Sequence, residues 1–211
     1  MNVAAEYVSL AGTLNNCAGG RTPWGTWLSC EETEARAGDD GMTMDHGFVF
    51  EVDPLNPDNN TTPTPLTALG RFPHEAVSID PESGVVYLTE DASEPNGLLY
   101  RATPTTPLGG YGSLRDGAVL EAMVASKDGA FLADLSEVTD IGTILDVAWT
   151  AIPDPSAAEA STRVQLSKVT RSRKLEGHEF TGATFSADGT TLFVNLQQPG
   201  TTFAITGPWT A

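Results

Sequence analysis

The sequence predicts an all-β fold, an open β-propeller-like array of antiparallel blades carried as one domain over residues 1–211. Three observations predict it. Apolar residues alternate with polar ones across hairpins that turn on Asp and Gly, as in 78–88 and 183–194, which is the pattern of antiparallel strands. Closing strands recur at a fixed interval, with Gly47 and Gly97 lying 50 residues apart, and a period near ~50 built from short strands is that of propeller blades. No segment carries a convincing 3.6-residue apolar period with caps, so helices are not expected.

Taken in order, the first repeat is the loosest. Arg21 to Gly25 turns into Thr26–Glu32, and Gly47–Pro54 closes the unit. The second runs from His74 to Gly84, continues through Val85–Asp91 and closes with Gly97–Pro104. Residues 118–125 are helical by propensity, but their Gly-rich flanks and their place after a closing strand favour an outer blade strand. Pro153 to Ala160 reads as a loop. The basic cluster Arg163–Lys174 holds five of the eleven cations and is either a solvated turn or an anion-facing surface. The last repeat runs from Phe180 to Gly189, through Thr190–Gln197, and closes with Thr202–Pro208. Pro104 and Pro208 lie 104 residues apart, about twice the first interval, which suggests one degenerate repeat between them. About four blades are expected. An open array exposes strand edges, so self-association is expected with it.

With 28 acidic against 11 basic side chains the chain carries a net charge of −17. A phosphate backbone would be repelled, which argues against nucleic-acid partners. Such a surplus either keeps a surface soluble by self-repulsion or brings carboxylates together on cations. No apolar run is long enough to span a bilayer. The N-terminus, Met1 to Glu6, has neither a basic n-region nor an apolar h-region, so the chain shows no export signal.

The stretch from Asn15 to Glu32 gathers two thiols, two amides and two adjacent carboxylates around a Pro-Trp-Gly turn. Amides and carboxylates are hard ligands suited to calcium, and a thiolate is a soft one suited to iron or zinc. Cys17 and Cys30 are open to three readings: a disulfide, two free thiols, or Cys17 as a metal ligand. The second strands of the repeats end alike, in Glu31 and Glu32, Glu90 and Asp91, then Asn195 and Gln197, while His74 and Glu75 open a first strand. Propeller geometry brings equivalent strand ends from different blades to one place, and crowded carboxylates call for cations.

With those segments in view, the chain resembles the PhoX-type alkaline phosphatases, secreted bacterial propeller enzymes. The likeness rests on Asn15–Gly20 with Thr22–Glu32, on Phe72–Ala76 with Val86–Asp91, and on Phe180–Gly189 with Leu192–Gly200. The resemblance implies a calcium-dependent hydrolase of small phosphate esters that works in the periplasm or outside the cell. It further implies that Cys17 is an iron thiolate, that Glu31 or Glu32 and Glu75 are metal carboxylates, and that Glu90 and Asp91 are further acidic ligands or their supports. The family's Arg-x-Glu-Gly segment corresponds here to Lys174-Leu175-Glu176-Gly177, which makes Lys174 and Glu176 the catalytic candidates.

The departures are specific. Lys174 stands where the family has a substrate-gripping arginine, and a point charge replaces a bidentate fork poorly on phosphate. The family's Asp-Asn-Leu blade has no counterpart, so the propeller is expected to be incomplete relative to the family. Two alternatives therefore stand beside the phosphatase: a non-catalytic calcium-binding propeller relative, and a calcium-dependent propeller esterase or lactonase.

Overall fold

A computed structural model describes residues 6–92, 97–157, 161–171 and 179–207. Among these residues there are strands and short 3-10 turns only, and every strand pairing is antiparallel. The first sheet joins β1 (Gly20–Arg21), β2 (Trp27–Cys30) and β3 (Val49–Val52). The second runs β4 (His74–Ile79), β5 (Val86–Glu90), β6 (Leu99–Pro104), β7 (Ala118–Lys127) and β8 (Ala130–Leu132), with β9 (Asp146–Ala151) paired to β7. The third joins β10 (Phe180–Phe185), β11 (Thr191–Leu196) and β12 (Thr201–Thr206).

The segment 118–125 is indeed strand. The expected fourth blade is absent among the described residues, and β7 explains why. Glu121 and Ala122 pair with both β6 and β9, and Ala125 and Ser126 with both β8 and β9. One ten-residue strand thus carries β6 and β8 along one edge and β9 along the other. What spacing suggested as a separate repeat is an extension of the second sheet.

Alternation buries one face of each sheet against the next. Leu28, Cys30 and Val49 of the first sheet pack with Val77, Leu88 and Tyr100 of the second. Leu99, Met123 and Ala125 pack with Phe180, Val194 and Leu196 of the third. The segment leading into β1 lies against β4, through a parallel bridge between Gly19 and Ala76, and β10 also packs against β4. The opening strands of all three sheets therefore lie side by side, the arrangement the repeat predicted.

That closeness is set by two glycines. A Cβ on Gly19 would sit 2.1 Å from the Leu28 carbonyl oxygen, and one on Gly20 would sit 1.9 Å from that of Val77. The absence of side chains here lets two strands approach closely. Gly20→Ala must force β1 away from β4, at a cost of about 1–3 kcal/mol. A urea melt should show a midpoint clearly below that of the parent, and an unchanged midpoint would show that the contact is looser than this.

Candidate metal centre

Two irregularities in the sheets aim side chains at one spot. The β4–β5 register slips between His74 and Ala76, so Glu75 has no cross-strand partner and forms a bulge. The β10–β11 register slips after Thr181, where Gly182 adopts φ 62°. Bulges of this kind redirect side chains at the rims of sheets. Thr181 Oγ1 consequently donates to Glu75 Oε1 at 2.8 Å, and the Cys17 thiol donates to Glu75 Oε2 at 3.5 Å.

Glu32 completes the group. One ligand atom from each of Cys17, Glu32 and Glu75 lies within 4.8 Å of the others. The Glu32 carboxyl also interacts with those of Glu75 and Asp91, so three carboxyls share a single half-buried corner. Carboxyls crowded in this way share a proton or separate around a cation. Burial, then the neighbouring Glu75 carboxyl, push Glu32 up to about 8, and burial followed by the Glu75 charge pushes the Cys17 thiol up to about 11. These residues fit a cation: one soft and several hard ligands converge, and a positive charge relieves each shift.

Neighbouring carboxylates of the sequence motif go elsewhere. The structure does not bring Glu31 to the cluster: its Oε1 lies 2.7 Å from His46 Nδ1 and accepts from Leu14 N–H at 2.9 Å. Glu31 Oε2 accepts from the N–H groups of Gly47 and Phe48 at 2.8 and 3.1 Å. Nor does it bring Glu90. That side chain is fully buried, with Oε2 accepting from Leu98 N–H and Tyr100 Oη–H and Oε1 facing Arg163 Nη1 at 3.3 Å. Burial pushes Glu90 up to about 7 despite the arginine. Glu31 and Glu90 are structural braces and each caps the start of a closing strand, at Gly47-Phe48 and at Leu98. Of each acidic pair, the second member turns to the site and the first turns into the fold.

The cysteines are both free thiols. Cys30 is fully buried in the core formed by the first two sheets, where loss of solvation raises its thiol further. His74 is fully buried, with its Nε2 3.2 Å from the Gly70 carbonyl oxygen, and burial lowers it to about 3. A neutral imidazole in tilted contact with the Phe72 ring braces the strand end. The Pro-Trp-Gly turn is pinned by Glu51, which accepts from Trp24 Nε1 at 2.7 Å and from Thr26 Oγ1 at 2.6 Å.

The basic cluster is not a solvated turn at its start. Arg163 Nη1 reaches inward to Glu34 Oε2 at 2.5 Å as well as to Glu90. One half-buried guanidinium therefore ties the segment after Glu32 to the strand end before Asp91. Sequence reasoning missed it because nothing local distinguishes Arg163 from the solvent-facing cations around it. Lys174 and Glu176, the catalytic candidates, lie outside the described residues. A groove lined by Val124, Trp149 and Lys168 shares no residue with the acidic corner.

Fold and site together define an all-β, propeller-like protein with a thiolate–carboxylate candidate metal centre. Its family follows from comparison. The model of the family described as alkaline phosphatase PhoX matches residues 1–174, and this chain belongs to that family. Among solved structures it is similar to Pseudomonas fluorescens PhoX in complex with vanadate, a transition state analogue, at 21% identity and a TM-score of 0.55. The match covers 88% of this chain and 40% of that one, so the chain spans well under half of the solved relative's length. No curated protein sequence matches the chain.

Proposed function

We propose that this chain is a metal-dependent hydrolase of small phosphate esters, working in the periplasm or outside the cell and holding calcium and iron. The carrying observation is the convergence of Cys17, Glu32 and Glu75 within 4.8 Å. Cys17 would supply the thiolate to iron, and Glu32, Glu75 and Asp91 the hard oxygens to calcium. Bound cations supply Lewis acidity and neutralise charge on phosphoryl oxygens. The chain's own part is to hold the ligands in place: Thr181 fixes one Glu75 oxygen, and the β4 bulge directs the other at Cys17. Lys174 would take the substrate-binding place of the family's arginine, and Glu176 would follow it in the same segment. No helix among the described residues is long and apolar enough to cross a membrane.

A second reading has its own observation. Lys174 in the arginine's place favours a calcium-binding relative without catalysis. Elemental analysis of purified protein, paired with a phosphomonoester assay in calcium, separates the two. The phosphatase reading expects stoichiometric iron and calcium with turnover that a chelator abolishes. Calcium without turnover would leave the binding relative, and neither metal at any stoichiometry would end both.

A further inference from the structure

We propose that Glu31 is a positioning residue for this centre, its carboxylate holding the Leu14–Cys17 segment in place so that Cys17 faces Glu32 and Glu75. The inference rests on the metal-site reading above but concerns an interaction within the chain itself. Cys17 sits in an irregular segment, outside any strand, with a hydrogen bond from its own N–H to the Cys30 carbonyl. What fixes that segment's approach is Glu31. Its carboxylate takes the Leu14 N–H, three residues before Cys17, on one oxygen, and the Gly47 and Phe48 N–H groups on the other. The Glu31 backbone makes further ties, donating to the Phe48 carbonyl and accepting the His74 N–H, next to Glu75. Glu32 N–H in turn bonds to the Asn15 carbonyl at 3.0 Å. Three segments that carry ligands thus meet at one fully buried residue.

A carboxylate, with acceptors on both oxygens, suits this place because its three backbone partners, the Leu14, Gly47 and Phe48 N–H groups, all donate. A carboxamide does not. Whichever way a glutamine is turned, its NH2 group meets the Leu14 N–H or the paired Gly47 and Phe48 N–H groups, and a donor faces a donor. Glu31→Gln should therefore release the Cys17 segment without enlarging or shrinking the side chain. Glu90 accepting the Leu98 N–H is the same device in the next sheet, where no thiol segment depends on it.

The test uses the whole chain, metal-free, with iodoacetamide labelling of each cysteine followed by peptide mass spectrometry. In the parent, Cys30 is fully buried and serves as an internal reference for global opening. Glu31→Gln is expected to label Cys17 about tenfold faster while Cys30 stays protected. A parallel Co2+ titration, read on the sulfur-to-cobalt charge-transfer band, should show about 10–100-fold weaker binding, the usual loss when a residue supporting a ligand is removed. His46→Ala, which deletes one of the four Glu31 contacts, should move Cys17 labelling in the same direction by less. It keeps the test decisive if Glu31→Gln does not fold. Equal acceleration at both cysteines, or no change at Cys17 in the variant that folds, overturns the proposal. Selective acceleration at Cys17 with no cobalt band even in the parent upholds the positioning role and overturns the metal-site reading.

Discussion

Replacing Cys17 with alanine is expected to abolish bound iron and phosphoester hydrolysis while leaving stability within about 0.5 kcal/mol of the parent. The thiol is half-buried, and among the described residues its side-chain hydrogen bond goes to Glu75 at 3.5 Å, from a weak S–H donor. Removing it opens no core cavity. It does remove the one soft ligand from a corner otherwise made of oxygens, and iron prefers that ligand to a carboxylate set alone. Cys30→Ala is the matched control. Its sulfur is packed with Leu28 and Val49 in the core, so its loss should cost about 1–2 kcal/mol and spare the metal. Iron content and thermal melting of both variants give the answer. Iron retained by Cys17→Ala and lost by Cys30→Ala would remove Cys17 from the site.

Which parts of this were legible in the sequence follows from the period of a strand. Alternation over 183–194 and 74–90 was enough to place β4, β5, β10 and β11, and the 50-residue spacing placed β3 and β6 as closing strands. The same spacing failed beyond Pro104, because it cannot tell a new blade from a long strand such as β7 that takes partners on both edges. At the site, the repeat pointed to the dipeptides Glu31-Glu32 and Glu90-Asp91 without saying which member of each faces the acidic corner. Both pairs fall where a strand ends, β2 at Cys30 and β5 at Glu90. Beyond that point the pleat no longer dictates which face a side chain takes, and the choice passes to tertiary partners. For Glu31 those partners are Gly47 and Phe48, and for Glu90 they are Leu98, Tyr100 and Arg163. All but Leu98 and Tyr100 lie far in sequence from the pair they decide, and those two lie at the start of the next strand. Expected self-association gains no support from the contacts within one chain.

Calcium is expected to raise the melting temperature of the parent by about 5–11 °C, and the single change Glu32→Gln to remove that response. Without a cation, Glu32 is crowded by Glu75 and Asp91 in a half-buried corner. Their mutual repulsion is a cost borne by the folded state alone, since the unfolded chain lets the three groups separate. A ligand bound only to the native state at ~100 times its Kd stabilises by about 2.7 kcal/mol, and a chain of this length gains roughly 2–4 °C per kcal/mol. Glutamine at position 32 keeps the shape, takes one negative charge from the cluster and can donate to the remaining carboxylates. The metal-free variant should therefore melt above the metal-free parent, and it should gain little from calcium because a charged hard ligand of the cluster is gone. Magnesium at equal concentration controls for general screening of a chain with net charge −17. A parent that melts alike in calcium and in chelator, or a Glu32→Gln variant with the parent's full response, would mean these strand ends do not gather around a cation.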